Sequence, residues 1–417
     1  MVENLRNLRL PALNLDSVYG DGPTLSRHRP TEAADLYEGV RLKVGTAAPK
    51  DGSGSIPGDL VPPEDDLRRD LPRVNKKALV ADGRNDENLI IAQFHTAFLR
   101  FHNAVVDRLE ADGSGRYRHD QGKLFRKARR LTRWHYQWLV VNDYLRNVTL
   151  PGVAEKILLG GPKHYDPSGG ELFMPLEFSV AAYRFGHSMV RAAYDHNRNF
   201  GHGAIVAPEA SFDLLFRFTG RSPNPFFGQT DVLPFNWIIE WDRFVDHGSP
   251  FADRFARWID SRIAFPLSEM ANEGNGPPVN AMLKQLARRN LLRGYLLSLP
   301  TGQAAAAAMG VAPLSPEEIR QGNGDGLNQV LDDNGFTQRT PLWFYLLKEA
   351  EVRANGTSLS ELGSRIVCET MIGLLRHDPK SYLTEGHSWD PSKGVRLPNG
   401  DPIVTIADFL RFAGVMA

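Results

Sequence analysis

One cysteine, Cys368, stands in a chain of 417 residues, so no internal disulfide framework is available and a reducing compartment suits it. Net charge is lacking as well. Lysine plus arginine and aspartate plus glutamate number 49 each, which leaves no overall field to attract nucleic acid or an anionic membrane, and neither is expected as a partner. No apolar run approaches the ~18 to 20 residues of a membrane span, and the opening MVENLRNLRLPALN has no apolar centre of signal-peptide length. Cytoplasmic is therefore the default expectation. Internal repeats, low-complexity linkers and strand-like alternation are also missing, which leaves helical periodicity as the main structural signal.

Up to about residue 80, glycine and proline recur every few positions, as in DGSGSIPGD at 51–59 and VPPEDD at 61–66. Such spacing breaks helices and predicts an irregular, loop-rich arm, 1–80, packed on a core made elsewhere. Within it LNLDSVYG sets the oxygens of Asn14, Asp16 and Ser17 on a short stretch. They could form half of a hard-cation site, or an Asx-type turn before Tyr19 and Gly20.

From residue 82 the texture changes. DGRNDENLIIAQFHTAFLRFHNAVVDRL predicts a helix over 82–109, capped by Asn85 or Asp86, with a stripe of Ile91, Phe94, Phe98, Phe101 and Val105. Arg84 and Glu87 share one side of its first turn, and His95 and His102 read as core histidines. Further helices are expected over 121–148, around 178–195, near 250–265, at 279–310 on both sides of Pro300, and in three C-terminal segments, the second of which buries Cys368 as a small apolar residue. In the 279–310 stretch Leu283, Leu286, Leu292 and Leu296 are the expected buried stripe. The fold class is mainly α: a helical domain over 81–417 with the irregular arm before it.

The chemistry centres on FSVAAYRFGHSMVRAAYD at 178–195, where Phe178, Ala182, Phe185, Met189 and Ala192 recur at helical steps. Arg184 and His187, one turn apart, put a fixed positive charge beside an imidazole on an otherwise apolar face. That pairing could hold a flat, anionic, iron-bearing ligand, the imidazole on the metal and the guanidinium on a carboxylate. An imidazole in that role needs an acceptor for its second ring nitrogen, and Asn290, embedded among leucines and arginines, is the candidate. Peroxide cleavage would also need a positive donor where charge develops on the departing oxygen, which Arg84 could supply, and a base to move the proton.

The runs GRNDENLIIAQFHTAFLRFHN, AAYRFGHSMV, LARRNLLRGYLLSLPTGQ and TPLWFYLLKEAEV resemble the animal-type haem peroxidases of the peroxidase–cyclooxygenase superfamily, most of all its bacterial members. The resemblance implies a peroxidase that binds haem b, reduces hydrogen peroxide and oxidises a small donor through a ferryl intermediate. It makes His187 the proximal iron ligand, Arg184 a neighbour of a haem propionate, Arg84 the distal catalytic arginine and Asn290 the partner of the proximal histidine. Glu87 falls where some members carry a carboxylate touching, or esterified to, the haem rim, and Asn88 where certain mammalian members carry a haem-linked methionine. Asn14 and Asp16 fall in the side-chain places of the family's calcium loop.

One departure accompanies these agreements. The family's distal histidine, followed by a calcium-binding aspartate, precedes the LDSVYG stretch, whereas no histidine here precedes His28. The resemblance thus implies a scaffold without its proton shuttle, as a truncated product, a misplaced start or a degenerate paralogue would give. A haem-binding, catalytically impaired homologue is the alternative function. A fatty-acid dioxygenase would need a tyrosine three residues before His187, and position 184 is arginine.

Overall fold

A computed structural model describes residues 11–25, 32–50, 64–112, 115–201, 204, 206–221, 230–246, 248, 256–270 and 282–417. His28 and residues 250–255 of the expected short helix lie outside them. The chain forms two compact units. One comprises 1–13, 140–191 and 256–388; the other comprises 14–139, 192–255 and 389–417. Residues 14–80 of the expected arm thus fall in the same unit as the helix that follows it.

In the unit holding residues 14–139, the long helix is Leu89–Glu110, and Asn88 rather than Asn85 or Asp86 caps it, its side-chain oxygen accepting from Ile91 N at 3.0 Å. Starting there, the buried face runs through Leu89, Ala92, Phe98, Phe101, His102 and Val105; of the expected stripe Phe98, Phe101 and Val105 are buried, Phe94 is half-buried and Ile91 is exposed. Arg84 and Glu87 belong to a tight 3-10 turn, Gly83–Asp86, and its end, one step before the helix. The helix Gln121–Leu139 packs beside Leu89–Glu110. Phe101 stacks on Phe409 of the helix Ile406–Phe412, with ring centres 4.2 Å apart and planes 10° apart. The described part of the arm contributes short helices and two hairpins of two-residue strands, Tyr37–Glu38 with Arg41–Leu42 and Arg73–Val74 with Lys77–Ala78. His102 ties one end of this unit together: Tyr19 Oη lies 3.0 Å from its Nδ1 and the Val40 carbonyl 3.0 Å from its Nε2.

The other unit is built on Leu342–Arg353 and Glu361–His377, both mostly buried. They are joined electrostatically, because the buried Glu349 carboxylate accepts from Leu362 N and Gly363 N at the start of the second helix, where orphan N–H groups favour an anion. Cys368 is buried there, as expected. The two helices either side of Pro300 are Leu286–Leu296 and Gly302–Ala308. Gly302 is required by close approach, since a Cβ there would sit 1.9 Å from the Tyr345 ring.

Three expectations fail in this unit or beside it. The segment 178–195 is not one helix. A π turn, Glu177–Ala181, passes into a 3-10 turn, Ala182–Arg184, then a short α turn, Gly186–Met189, and the chain is extended by Val190. A π turn inserts a residue into the 3.6-residue period, so Phe178, Ala182 and Phe185 remain buried while Met189 is half-buried and Ala192 exposed. The expected leucine stripe is not buried: Leu283, in the 3-10 turn Met282–Lys284, is 45% exposed and Leu296 70%, and the residue of Leu286–Leu296 that is buried is Asn290, at 2%. Residues 256–264 are not helical, and the next turn is the 3-10 segment Phe265–Ser268.

Burial pushes the imidazoles of His95 and His102 down to about 4, and those of His135 and His196 down to about 3. Unfolded histidine takes up a proton near pH ~6.5, so between there and about pH 4 the unfolded chain binds more protons than the folded one. Stability is then present at neutral pH and falls as pH drops through that window, by up to ~1.4 kcal/mol per pH unit for each such histidine. Urea unfolding midpoints should fall steadily from pH 7.5 to pH 5, and a midpoint constant over that range would contradict the reading.

Candidate active site

His187, Arg184 and Asn290 are brought together by two elements of one unit. Arg184 ends the 3-10 turn and His187 opens the α turn that follows, while Asn290 is the buried residue of Leu286–Leu296. Asn290 Nδ2 lies 2.8 Å from His187 Nδ1, and Arg184 Nη1 donates to Asn290 Oδ1 at 3.1 Å. Arg184 is anchored in turn, its Nε donating to the Ser179 carbonyl in the π turn and its own carbonyl accepting from Trp343 Nε1 at 3.2 Å. The Trp343 ring stands edge-on to the imidazole, 6.4 Å between centres.

Burial, then the guanidiniums of Arg184 and Arg289, push the His187 imidazole down to about 4. The ring is neutral at physiological pH, as a metal ligand must be. Its Nε2 makes no hydrogen bond among the described residues. The pKa of Arg184 is itself lowered, by burial and by the charges of Arg293 and Arg289; positive charge of that kind favours an anionic ligand with carboxylates to offer. Among the described residues no group of three or more His, Cys, Asp or Glu could hold a bare metal ion. A single imidazole suffices for an ion that brings its other ligands with it, as iron in a porphyrin does. The residues present therefore fit haem: His187 would hold the iron through Nε2, and Arg184, with Arg289 and Arg293, would face its carboxylates.

The other predicted residues lie in the second unit. Arg84 is forked onto Asp82, Nη2 to Oδ2 at 2.7 Å and Nε to Oδ1 at 3.1 Å, and its side chain is 65% exposed. The Asp82 carboxylate raises its pKa, chiefly through that hydrogen bond, so the charge is permanent. Nη1 makes no hydrogen bond among the described residues, which leaves one edge of a fixed guanidinium to donate. Glu87 accepts from Arg221 Nη2 at 2.8 Å. Beneath them a buried ion network fixes the turn: Arg73 bridges Asp86, Nη1 to Oδ2 at 3.0 Å, and Asp70, Nε to Oδ2 at 3.3 Å, while Gly220 N donates to the Asp86 carboxylate. At Asn14 the Asx-type turn is what forms: its Oδ1 accepts from Asp16 N at 3.0 Å, and Asp16 Oδ1 accepts from Ser17 N.

Sequence reasoning missed Asp82, Ser179, Trp343, Arg289 and Arg293. Asp82 could have been found, since an aspartate directly before GRND is a cap signal. The others act through a backbone carbonyl, a ring edge or long-range charge, which spacing in the chain does not show.

A mainly helical scaffold presents one neutral imidazole whose charge environment is set by neighbouring guanidiniums, donors of the kind a haem would need. Comparison with known proteins points the same way. The model of the animal haem peroxidase family matches residues 13–214, a little under half of the chain. Among curated relatives, the peroxidasin homolog pxn-2 of Caenorhabditis elegans is 27% identical over 223 residues, 49% of this chain and 15% of that protein. The peroxidase skpo-1 of the same organism is 32% identical over 125 residues, 30% of this chain and 18% of the relative. The chain thus spans less than a fifth of either. Of solved structures, Peroxidase A from Dictyostelium discoideum superposes with a TM-score of 0.57 at 17% identity, covering 90% of this chain and 64% of that one. The Oryza sativa fatty acid alpha-dioxygenase gives 0.53 at 15% identity, covering 98% and 62%. At such identity these two show the fold alone. The family match and the relatives together show a likeness to animal haem peroxidases over part of the chain.

The Arg73 network should carry measurable stability, because removing one partner leaves a buried charge uncompensated. Asp86→Ala is expected to cost about 3 kcal/mol or more in urea unfolding; a loss under ~1 kcal/mol would show that the network does not hold the turn.

Proposed function

We propose that this protein is a haem-dependent peroxidase that reduces hydrogen peroxide and oxidises small donors in one- or two-electron steps. The observation that carries the reading is the 2.8 Å approach of Asn290 to His187 Nδ1 on a ring that burial keeps neutral, its Nε2 bonded to nothing among the described residues. Bound haem would supply the iron that accepts the peroxide oxygen and stores the oxidising equivalents. The chain's own part is to hold and polarise. Asn290 fixes the imidazole plane, as an outer-shell partner does for a metal-bound histidine. Arg84, held by Asp82 with one edge to spare, is suited to donate where negative charge grows on a departing oxygen, a role typically worth ~10² to 10³ in rate. Glu87, steadied by Arg221, is assigned to the haem rim, and Asn14 and Asp16 to calcium, on resemblance alone.

Arg184 argues against the dioxygenase reading. The place three residues before the histidine is filled by a guanidinium bonded to Asn290, which cannot form the tyrosyl radical that reading requires. The relatives' names favour the peroxidase.

Reconstituted with haemin, the protein should give a histidine-ligated ferric spectrum that disappears in His187→Ala; the same spectrum in that variant removes the assignment. Arg84→Ala should slow peroxide consumption roughly 10²-fold or more while haem retention changes little. Loss of haem with an unchanged rate per bound haem would make Arg84 an anchor instead.

A further inference from the structure

Asn290 is asked to serve two neighbours that constrain its amide in opposite ways. Arginine is a donor only, so the amide atom facing Arg184 Nη1 at 3.1 Å has to be the carbonyl oxygen, whichever way the amide is drawn. The amide NH2 is then the group facing His187 Nδ1 at 2.8 Å. An NH2 can only donate, which makes Nδ1 the acceptor and leaves the single proton of the neutral ring on Nε2. A protonated Nε2 has no lone pair for a metal.

We infer that in the haem-free chain Arg184 locks His187 in the tautomer that cannot ligate iron, and that capture of iron requires Arg184 to let go of Asn290 so that the amide can turn over. After the turn Asn290 Oδ1 accepts from Nδ1–H and Nε2 is bare. The ring stays neutral throughout; one proton changes nitrogen through solvent and no charge is created. Arg184 is thereby a positioning residue acting through Asn290, and the inference rests on the reading of His187 as an iron ligand. The three guanidiniums explain why the release is favourable when the right ligand arrives. A porphyrin bearing carboxylates gives Arg184 a stronger partner than a neutral amide oxygen, so the group that needs the other tautomer is also the one that unlocks it. A metalloporphyrin without carboxylates, or a bare metal ion, would have to break the lock unaided.

The test begins without haem. In the full chain labelled with 15N-histidine at pH 8, long-range 1H–15N correlations assign the proton of each ring to Nδ1 or Nε2, and loss of one signal set in His187→Gln identifies the ring. The native chain should carry the proton on Nε2. Arg184→Met, which frees the amide, should move a large share of it to Nδ1. Asn290→Asp, nearly isosteric and able to accept from both neighbours at once, should place it on Nδ1 with Arg184 still bonded. A native ring protonated on Nδ1, or tautomers indifferent to both substitutions, overturns the inference while leaving the haem reading untouched.

Stopped-flow uptake then separates the two claims. With haemin dimethyl ester, which has no free carboxylate, Arg184→Met should bind roughly tenfold faster or more than the native chain, the worth of a hydrogen bond to a charged group; with haemin itself the two should differ much less. Equal rates with the ester defeat the release step. Failure of both porphyrins to reach a His187-ligated state, with the tautomers behaving as expected, defeats the peroxidase reading and the capture step, and leaves only the control of the tautomer by Arg184.

Discussion

The constraint on which the site turns is that a buried primary amide has one acceptor end and one donor end, and Asn290 spends both on residues separated by less than a helical turn. Arg184 takes the oxygen and His187 the nitrogen. Leaving either end unmet in a buried setting would cost about 1–3 kcal/mol, so the three side chains set one another's orientation. The broken helix contributes an anchor: the Ser179 carbonyl in the π turn accepts from Arg184 Nε at 3.1 Å. That bond aims the guanidinium along Leu286–Leu296 at its single buried position.

Within the other unit the same economy appears in charge rather than amide geometry. Arg73, a cation with almost no exposure, is met by two carboxylates and the Phe218 carbonyl. The desolvation of such a group is repaid only by near-complete pairing, which is why Asp86 is held rigidly and why the turn containing Arg84 has a defined shape. Asp82 then does for Arg84 what Ser179 does for Arg184: it fixes the guanidinium while leaving part of its donor edge available. Both arginines are therefore pre-oriented by acceptors beside them in the chain, a cheap arrangement, since the loop closed by each contact is only a few residues long.

The sequence was legible where helical periodicity runs unbroken between chain breakers. Leu89–Glu110, the pair of helices around Pro300 and the three C-terminal helices could all be read from apolar spacing and breakers, and the buried state of Cys368 and His102 followed from their neighbours. What misled was apolar spacing that a broken run of turns also satisfies. FSVAAYRFGHSMVRAAYD has the apolar spacing of an α-helix, but no side-chain cap is present at any of its three turns, and nothing local penalises a π insertion. Leu292 and Leu296 misled in the opposite sense: their spacing is helical and the helix exists, yet its burial is decided by what packs on it, and the residue that is buried is Asn290. Asn290 was picked out for being polar among apolar residues, and that contrast outlasted the error about which face was buried.

The two lines of support for a haem site are unequal in reach, and the difference is informative. Similarity to the animal haem peroxidase family covers residues 13–214, which takes in Arg84, Glu87, Arg184 and His187 but stops well short of Asn290. Were the likeness of that region only an inherited helical frame, no reason would exist for a polar residue more than a hundred positions away, on a helix whose leucines face solvent, to be the one turned inward against His187 Nδ1. The geometry supplies that residue independently. A helix that exposes Leu296 and buries an asparagine has its orientation set by hydrogen bonding more than by the hydrophobic effect.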